Sequence, residues 1–227
     1  IADLNSLPLP AYHIYETDIY YKYSSLPQSV ESINSKRRAS MCWERGWPRR
    51  CTFCTHNGMS RIDLQNMYGD GDIKKGEEKV RIVDEENDMF QLAARWPSPE
   101  YAVKNVQFLK DTYDIDFISI IDENMTSNLK WTKEFCNEIV KRNIKLKWSD
   151  SANLKVGDRD MFLAMGEAGC VKLWYGTETY SARILKEIDK WTTNMYEKID
   201  NTLVWAHEAN IWNGANLICN FPHETEE

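Results

Sequence analysis

Apolar runs and helical patterns alternate along most of the chain. Residues 117–121 are almost continuously apolar, as a strand covered on both faces requires. The segments between the apolar runs carry apolar residues three and four positions apart, which is typical of amphipathic helices. The pattern predicts strands at 37–44, 117–121, 144–148, 171–175 and 215–219, and helices at 99–111, 129–142, 158–168, 181–188 and 194–209. Strict alternation of this kind predicts parallel strands joined by right-handed crossovers.

These elements predict an α/β fold, a partial β/α barrel of the TIM type with five strand–helix units over residues 36–227. Residues 1–35 combine prolines with many tyrosines and serines and show no sustained period, which indicates an N-terminal linker or wrapping arm. A polar, acidic stretch at about 57–94 indicates an inserted surface excursion.

Polar residues follow the predicted strands. They are Asp122, Glu123 and Asn124, then Ser149 and Ser151, then Thr177 and Glu178, and finally Asn220. In a β/α barrel the catalytic groups lie at the carboxyl ends of the strands, so we expect these residues on one rim. Each of them could equally be an ordinary polar loop residue.

Two cysteines, Cys51 and Cys54, follow the first predicted strand and are expected on the same rim. Thiols at this spacing converge from a single tight turn, so they can ligate one metal or one cluster. An iron–sulfur cluster, a zinc half-site and a redox-active dithiol all fit such a pair.

Composition and charge narrow the class of protein. The 227 residues carry a formal charge of -7, which argues against a general nucleic-acid or anionic-membrane surface. No apolar stretch reaches the length of a membrane span. Six dispersed cysteines and the lack of a secretory signal favour a reducing, cytoplasmic compartment. Because the chain starts at Ile1 without a methionine, we expect it to be a piece of a longer protein.

The surroundings of the cysteine pair carry a family resemblance. Residues 45–54 read Arg-Gly-Trp-Pro-Arg-Arg-Cys-Thr-Phe-Cys, which resembles the cluster-binding loop of radical S-adenosylmethionine enzymes. That loop has three cysteines at spacings of three and two, and Trp47 stands where its first cysteine is expected. An indole cannot ligate iron. Cys42 is the nearest substitute, although an unpaired cysteine in a strand is more often a small core residue.

Further landmarks of the same family occur in the same order over residues 36–227. They include Phe-Ile-Ser-Ile-Ile-Asp-Glu-Asn at 117–124, Gly-Thr-Glu-Thr at 176–179 and Pro-His-Glu-Thr at 222–225. Residues 3–15 are similar to the segment that joins a cobalamin-binding domain to the catalytic core in one subgroup. The family core has six strand–helix units, whereas this chain ends just after the fifth strand.

The resemblance implies a set of cofactor ligands. Cys51 and Cys54 would bind a 4Fe-4S cluster, and the backbone near Phe53 would meet the adenine of S-adenosylmethionine. Acidic and amide side chains on the rim would accept hydrogen bonds from the ammonium and ribose hydroxyls of that cofactor. They are Asp122, Glu123, Asn124 and Glu178, with Ser151 on the same rim. Asn220 would lie beside the adenine, at a position where the family usually has glycine.

The implied function is reductive cleavage of S-adenosylmethionine to start radical chemistry, with cobalamin-assisted methyl transfer in one subgroup. The substrate would be an unidentified small molecule or peptide, and the electron donor a protein such as flavodoxin or ferredoxin. Two alternatives stay open. The chain could be a cluster-deficient relative that acts as a binding scaffold. It could also be a β/α enzyme with a zinc or dithiol site at Cys51 and Cys54 and Glu178 as general acid or base.

Overall fold

The computed structural model describes residues 3–14, 16–23, 34–46, 51–54, 59–60, 80–84, 89–92, 94–155, 157–191 and 193–225. The chain forms two compact units. The first comprises Ile1–Trp43, Pro97–Glu178 and Asn194–Leu217, and the second comprises Glu44–Trp96, Thr179–Thr193 and Ile218–Glu227.

A five-stranded parallel sheet organises the first unit. Its strands, in spatial order, are β1 (Arg38–Met41), β5 (Phe117–Ile120), β6 (Lys147–Ala152), β7 (Cys170–Glu178) and β8 (Trp212–Leu217). The helices of this unit are α1 (Thr17–Tyr23), α2 (Pro99–Tyr113), α3 (Leu129–Lys141), α4 (Arg159–Glu167) and α6 (Met195–Glu208). The predicted α/β class and the five parallel strands of a partial TIM-like barrel are confirmed.

Capping residues set the ends of the helices. At α2, the Ser98 hydroxyl accepts a hydrogen bond from the Tyr101 N–H, and Pro99 follows the cap, where its missing N–H costs nothing. Asp114 ends this helix in a left-handed conformation. At α4, the Asp158 side chain accepts from the Met161 N–H in the same way. Caps of this kind explain why the helix positions are close to those predicted.

The core lies between these helices and one face of the sheet, here called the helix face. Trp131, Phe135 and Ile139 form a buried stripe along α3, as their spacing of four predicts. The Phe135 ring packs edge-on against Trp148 of β6, with 5.9 Å between ring centroids. The Trp148 indole N–H donates to the carbonyl of Ala168 at 2.9 Å, so its polar atom is satisfied inside the core.

Three strands extend beyond their predicted bounds. Strand β6 runs to Ala152 and contains Ser149 and Ser151, which were expected to follow it. Strand β7 similarly continues to Glu178, and β8 starts earlier, at Trp212. Ser149 and Ser151 pair with Lys172 and Trp174 of β7. Because Trp148 packs against Phe135 of α3, alternation places these two serines on the face opposite the helices, here called the inner face.

The N-terminal segment contains a helix, α1, that the sequence pattern did not predict. The segment also has two short 3-10 helices, Leu4–Ser6 and Tyr12–Ile14. Its aromatic residues pack on α2, with ring centroids 5.8 Å apart for Tyr12 and Tyr113 and 5.5 Å apart for Tyr21 and Tyr113. Tertiary packing of aromatic side chains therefore orders a stretch in which helix propensity is weak.

The second unit contains a small antiparallel sheet of β2 (Met59–Ser60), β3 (Val80–Asp84) and β4 (Met89–Leu92), in the order β2-β4-β3. These strands fall within the insertion predicted at about 57–94, and most of the rest of that insertion lies outside the described residues. The unit also holds α5 (Ala182–Glu187) and an antiparallel bridge between Arg45 and Arg95. Within the described part of the chain, no helix combines the length and the hydropathy needed to cross a membrane.

Candidate cofactor site

Asp122 joins the carboxyl ends of two strands in the first unit. The residue is 2% exposed, and its Oδ1 accepts a hydrogen bond from the Trp43 N–H at 2.6 Å. Beside it, the Ile121 N–H donates to the carbonyl of Met41 at 2.8 Å. One carboxylate oxygen of Asp122 thus fixes the segment after β1 against the segment after β5.

Asn124 has a similar position at the next junction. It is almost fully buried, and its Oδ1 accepts a hydrogen bond from the Thr126 hydroxyl at 2.8 Å. The same hydroxyl accepts from the Asn153 N–H, at 3.3 Å, just beyond β6. Glu123, by contrast, is exposed between these two buried residues. Of the three neighbours predicted to contact a cofactor, Glu123 is the one whose side chain faces solvent.

Glu178 ends β7 in an unusual conformation. Its φ angle is 60°, in the left-handed region, and the side chain is 9% exposed. The pairing of β7 with β8 shifts register between Gly176 and Glu178. A non-glycine residue in this conformation costs on the order of 1–3 kcal/mol, and such costs concentrate at functional sites. Ser151 lies further back, half-buried inside β6 and opposite Trp174 of β7.

Cys51 and Cys54 lie on one tight turn of the second unit. The Cys54 N–H donates to the carbonyl of Cys51 at 3.0 Å, and the intervening Thr52 N–H donates to the carbonyl of Ile188 at 3.2 Å. Cys51 is buried and Cys54 is half-buried, and neither is in a disulfide. Two thiols on a single anchored turn fit the donor set of a thiolate-ligated metal or cluster.

The structure identifies no third ligand among the residues that it describes. Trp47 and His56 fall outside the described residues, and within those residues no group of three or more His, Cys, Asp or Glu side chains is placed to hold a metal. The substitution of the first cluster cysteine by Trp47 therefore stays a prediction.

Phe53 lies within the cysteine turn and contacts a second aromatic residue of the same unit. Phe53 is partly exposed, and its ring packs edge-on against Phe221, with 5.8 Å between centroids. Asn220 precedes Phe221 and has a φ angle of 65°. Asparagine tolerates this left-handed conformation better than most residues, so Asn220 keeps the backbone geometry that a glycine would give. Sequence reasoning missed Phe221, because only the fold brings it to Phe53.

The remaining cysteines divide into two kinds. Cys136 and Cys170 are buried, and burial raises the pKa of each thiol far above its usual range. Cys42 and Cys219 are exposed, so the expectation that Cys42 is a small core residue was wrong. For Cys42, strand alternation gives the reason, since Met41 and Trp43 on either side of it are buried. The role of Cys42 as a cluster ligand stays a prediction.

Comparison with solved structures shows which fold this is. The chain superimposes on the radical S-adenosylmethionine methyltransferase TsrM from Kitasatospora setae, whose structure contains cobalamin and a 4Fe-4S cluster, with a TM-score of 0.62 at 16% identity. That match covers 92% of this chain and 36% of TsrM. The cobalamin-dependent S-adenosylmethionine radical enzyme OxsB matches with a TM-score of 0.56 at 19% identity. This match covers 79% of the present chain and 23% of OxsB. The fold is therefore that of a radical S-adenosylmethionine core, as the resemblance predicted.

The curated relatives are named as methyltransferases and a cyclase, and no family model matches. An uncharacterized methyltransferase of Pyrococcus horikoshii is 25% identical over 227 residues, which are all of this chain and 40% of that protein. The cytidylyl-2-hydroxyethylphosphonate methyltransferase of Streptomyces wedmorensis is 24% identical over 206 residues, which are 90% of this chain and 32% of that protein. The anaerobic magnesium-protoporphyrin IX monomethyl ester cyclase of Cereibacter sphaeroides is 29% identical over 133 residues, which are 57% of this chain and 21% of that protein. The chain thus spans 40% or less of each of these enzymes.

Proposed function

We propose that this chain is the core of a radical S-adenosylmethionine enzyme that carries out methyl transfer or a related radical reaction with cobalamin as a second cofactor. The observation that carries the proposal is the anchored turn of Cys51 and Cys54 in a chain with this fold. The names of the structural neighbours and curated relatives support both the cobalamin and the methyl transfer.

The residues of the cysteine turn fit a cluster. Cys51 and Cys54 would supply two of its thiolate ligands, and Thr52 would hold the turn in place through its bond to Ile188. When bound, a 4Fe-4S cluster supplies the electron that cleaves S-adenosylmethionine. Cys51 is buried, and limited solvent around a ligand in this position would favour a long-lived cluster.

The other predicted residues would orient S-adenosylmethionine. Carboxylates bind an ammonium and ribose hydroxyls through charge-assisted hydrogen bonds, and Glu123 and Glu178 have the right chemistry for this. Within the second unit, the edge-to-face pair of Phe53 and Phe221 forms an apolar surface beside the cysteine turn. Asp122 and Asn124 would act indirectly, because their buried side-chain oxygens accept hydrogen bonds that fix the segment around Glu123. We expect a flavodoxin or ferredoxin as the electron donor.

The test is anaerobic reconstitution with iron and sulfide, followed by measurement of bound iron, bound sulfide and absorbance near 400 nm. We expect the wild-type protein to take up a cluster and the Cys51→Ser and Cys54→Ser variants to lose most of it. Cys219→Ser is the matched control, because it removes an exposed thiol that has no proposed ligand role. A colourless wild-type protein that binds zinc instead would favour the zinc or dithiol alternative, and one that binds neither would favour the scaffold alternative.

A further inference from the structure

A buried threonine hydroxyl lies between the segments that follow β5 and β6, two strands that pair side by side. Thr126 belongs to a short 3-10 helix, Met125–Ser127, directly after β5, and its side chain is fully buried. Its hydroxyl donates a hydrogen bond to Oδ1 of Asn124 at 2.8 Å and accepts one from the Asn153 N–H at 3.3 Å. One side-chain oxygen thus connects the ends of two neighbouring strands.

Local hydrogen bonds keep Thr126 in this position. The Thr132 hydroxyl, in the first turn of α3, donates to the carbonyl of Met125 at 2.8 Å. The side chain of Asn128, which follows the 3-10 helix, caps the same α-helix. The turn that contains Thr126 is therefore bonded to the start of a packed helix.

The bond from Asn153 determines where the Thr126 proton points. Because a backbone N–H can only donate, the Thr126 oxygen is the acceptor of that bond, and its own proton is donated to Oδ1 of Asn124. The Asn124 amide is thereby held with its oxygen toward Thr126 and its NH2 group away from it. A valine at position 126 has nearly the same shape, but it would offer no proton to Asn124 and no acceptor to Asn153.

Glu123 lies between two residues whose side chains are bonded in this way. Asp122 precedes it and accepts from the Trp43 N–H at 2.6 Å, and Asn124 follows it and accepts from Thr126. Asp122 and Asn124 are buried, whereas Glu123 is exposed. The exposed carboxylate is thus carried by a backbone segment that is fixed on both sides. A group carried in this way needs less ordering when it binds a ligand, which favours affinity.

We propose that Thr126 is a positioning residue of the cofactor site. Through Asn124 it holds Glu123 where this carboxylate accepts hydrogen bonds from S-adenosylmethionine. Thr126 is fully buried, so it acts through Asn124 and not by contact with the cofactor. This inference rests on the proposed function and deepens it, because it names a residue that controls the affinity of the site from beneath it.

The experiment measures the affinity of the anaerobically reconstituted protein for S-adenosylmethionine by equilibrium dialysis without reductant. We expect Thr126→Val to bind about fivefold more weakly than the wild-type protein, in line with the usual coupling within a hydrogen-bond network. Thr126→Ser keeps the hydroxyl and should bind within about twofold of wild type. Asn124→Ala removes the acceptor of the same bond and should reproduce the loss seen in Thr126→Val.

A double-mutant cycle with Glu123→Ala separates positioning from folding. If Thr126 acts by holding Glu123, Thr126→Val should change the affinity of the Glu123→Ala protein by less than about twofold. A role in folding alone would give the same loss in both backgrounds, because the two effects would then be independent.

Thr202→Val is the matched control. Thr202 of α6 is 2% exposed, and its hydroxyl donates to the carbonyl of Leu154 at 3.3 Å, so this variant also loses a buried hydrogen bond. Its melting temperature should fall, while its affinity for S-adenosylmethionine stays within about twofold of wild type. A reconstituted wild-type protein that binds no S-adenosylmethionine would contradict the proposed function and this inference together. Normal binding by Thr126→Val, an equal loss in Thr202→Val, or an equal loss with and without Glu123 would overturn this inference alone.

Discussion

The Oδ1 atom of Asp122 accepts a hydrogen bond from the Trp43 N–H at 2.6 Å, and this bond connects the segments after β5 and β1. Both residues are buried, so the bond is shielded from water and the carboxylate oxygen has a fixed role. Sequence reasoning assigned Asp122 to cofactor binding from its position after a strand. The hydrogen bond gives it a structural role as well, and the two roles can be separated by experiment.

We predict that Asp122→Ala destabilises the protein, because it leaves the buried Trp43 N–H without its acceptor. The expected loss in free energy of unfolding is about 1–3 kcal/mol, the usual cost of an orphaned buried donor. Urea denaturation measures it. The neighbouring exposed variant Glu123→Ala is the control and should change stability by less than about 0.5 kcal/mol. Equal stability of the two variants would show that the Asp122 bond contributes nothing to folding.

We predict that Glu178→Gln weakens binding of S-adenosylmethionine and leaves the melting temperature nearly unchanged. Glutamine has almost the same shape as glutamate and the same energetic cost in the left-handed backbone conformation, so only the charge is lost. A charge-assisted hydrogen bond is roughly twice as strong as a neutral one, so we expect affinity to fall about tenfold. Isothermal titration on reconstituted protein provides the affinity, and far-UV circular dichroism the melting curve. If the variant loses stability but binds normally, Glu178 is structural.

We predict a sharp division in thiol reactivity between exposed and buried cysteines. Cys42 and Cys219 should react with iodoacetamide in the native protein, because they are exposed. Cys136 and Cys170 should react only after unfolding, since burial both blocks the reagent and raises the pKa of each thiol, which suppresses the thiolate. Peptide mass spectrometry after a timed pulse of reagent measures each site. Native labelling of Cys136 at the rate of Cys219 would contradict the packing of α3 on the sheet.

Apart from α1, the sequence predicted the helices well, but it predicted the polar strands poorly, for a physical reason. Helices carry their boundaries in local signals such as the Ser98 cap, and their buried stripes follow a fixed spacing. Strand β6 contains Ser149, Asp150 and Ser151 in succession, a run that is typical of a loop when it is read locally. The run forms a strand because β7 pairs with all three residues and β5 also pairs with Ser149.

Contacts between residues that are far apart in the chain could not be predicted from the sequence either. The contact of Phe53 with Phe221 and the bond from Trp43 to Asp122 join residues that are far apart in the chain. Cys42 was misjudged because a strand pattern gives two faces without saying which is covered. The cysteine turn, in contrast, needs only residues 51–54, so its spacing alone was informative.

The last prediction concerns Trp47, because it bears on whether this sequence assembles a complete cluster. A cluster held by Cys51 and Cys54 alone lacks one of the family's three thiolates, and an indole cannot replace it. We therefore expect the wild-type protein to bind less iron and sulfide per chain than Trp47→Cys, and to produce deoxyadenosine from S-adenosylmethionine more slowly under reductant. Cys42→Ala, made in both backgrounds, tests the exposed thiol that is the nearest substitute in sequence. If Cys42 is the third ligand, its loss removes the cluster from the wild-type protein but not from Trp47→Cys. Equal cluster content in wild type and Trp47→Cys, unaffected by Cys42→Ala, would show that neither position supplies a ligand.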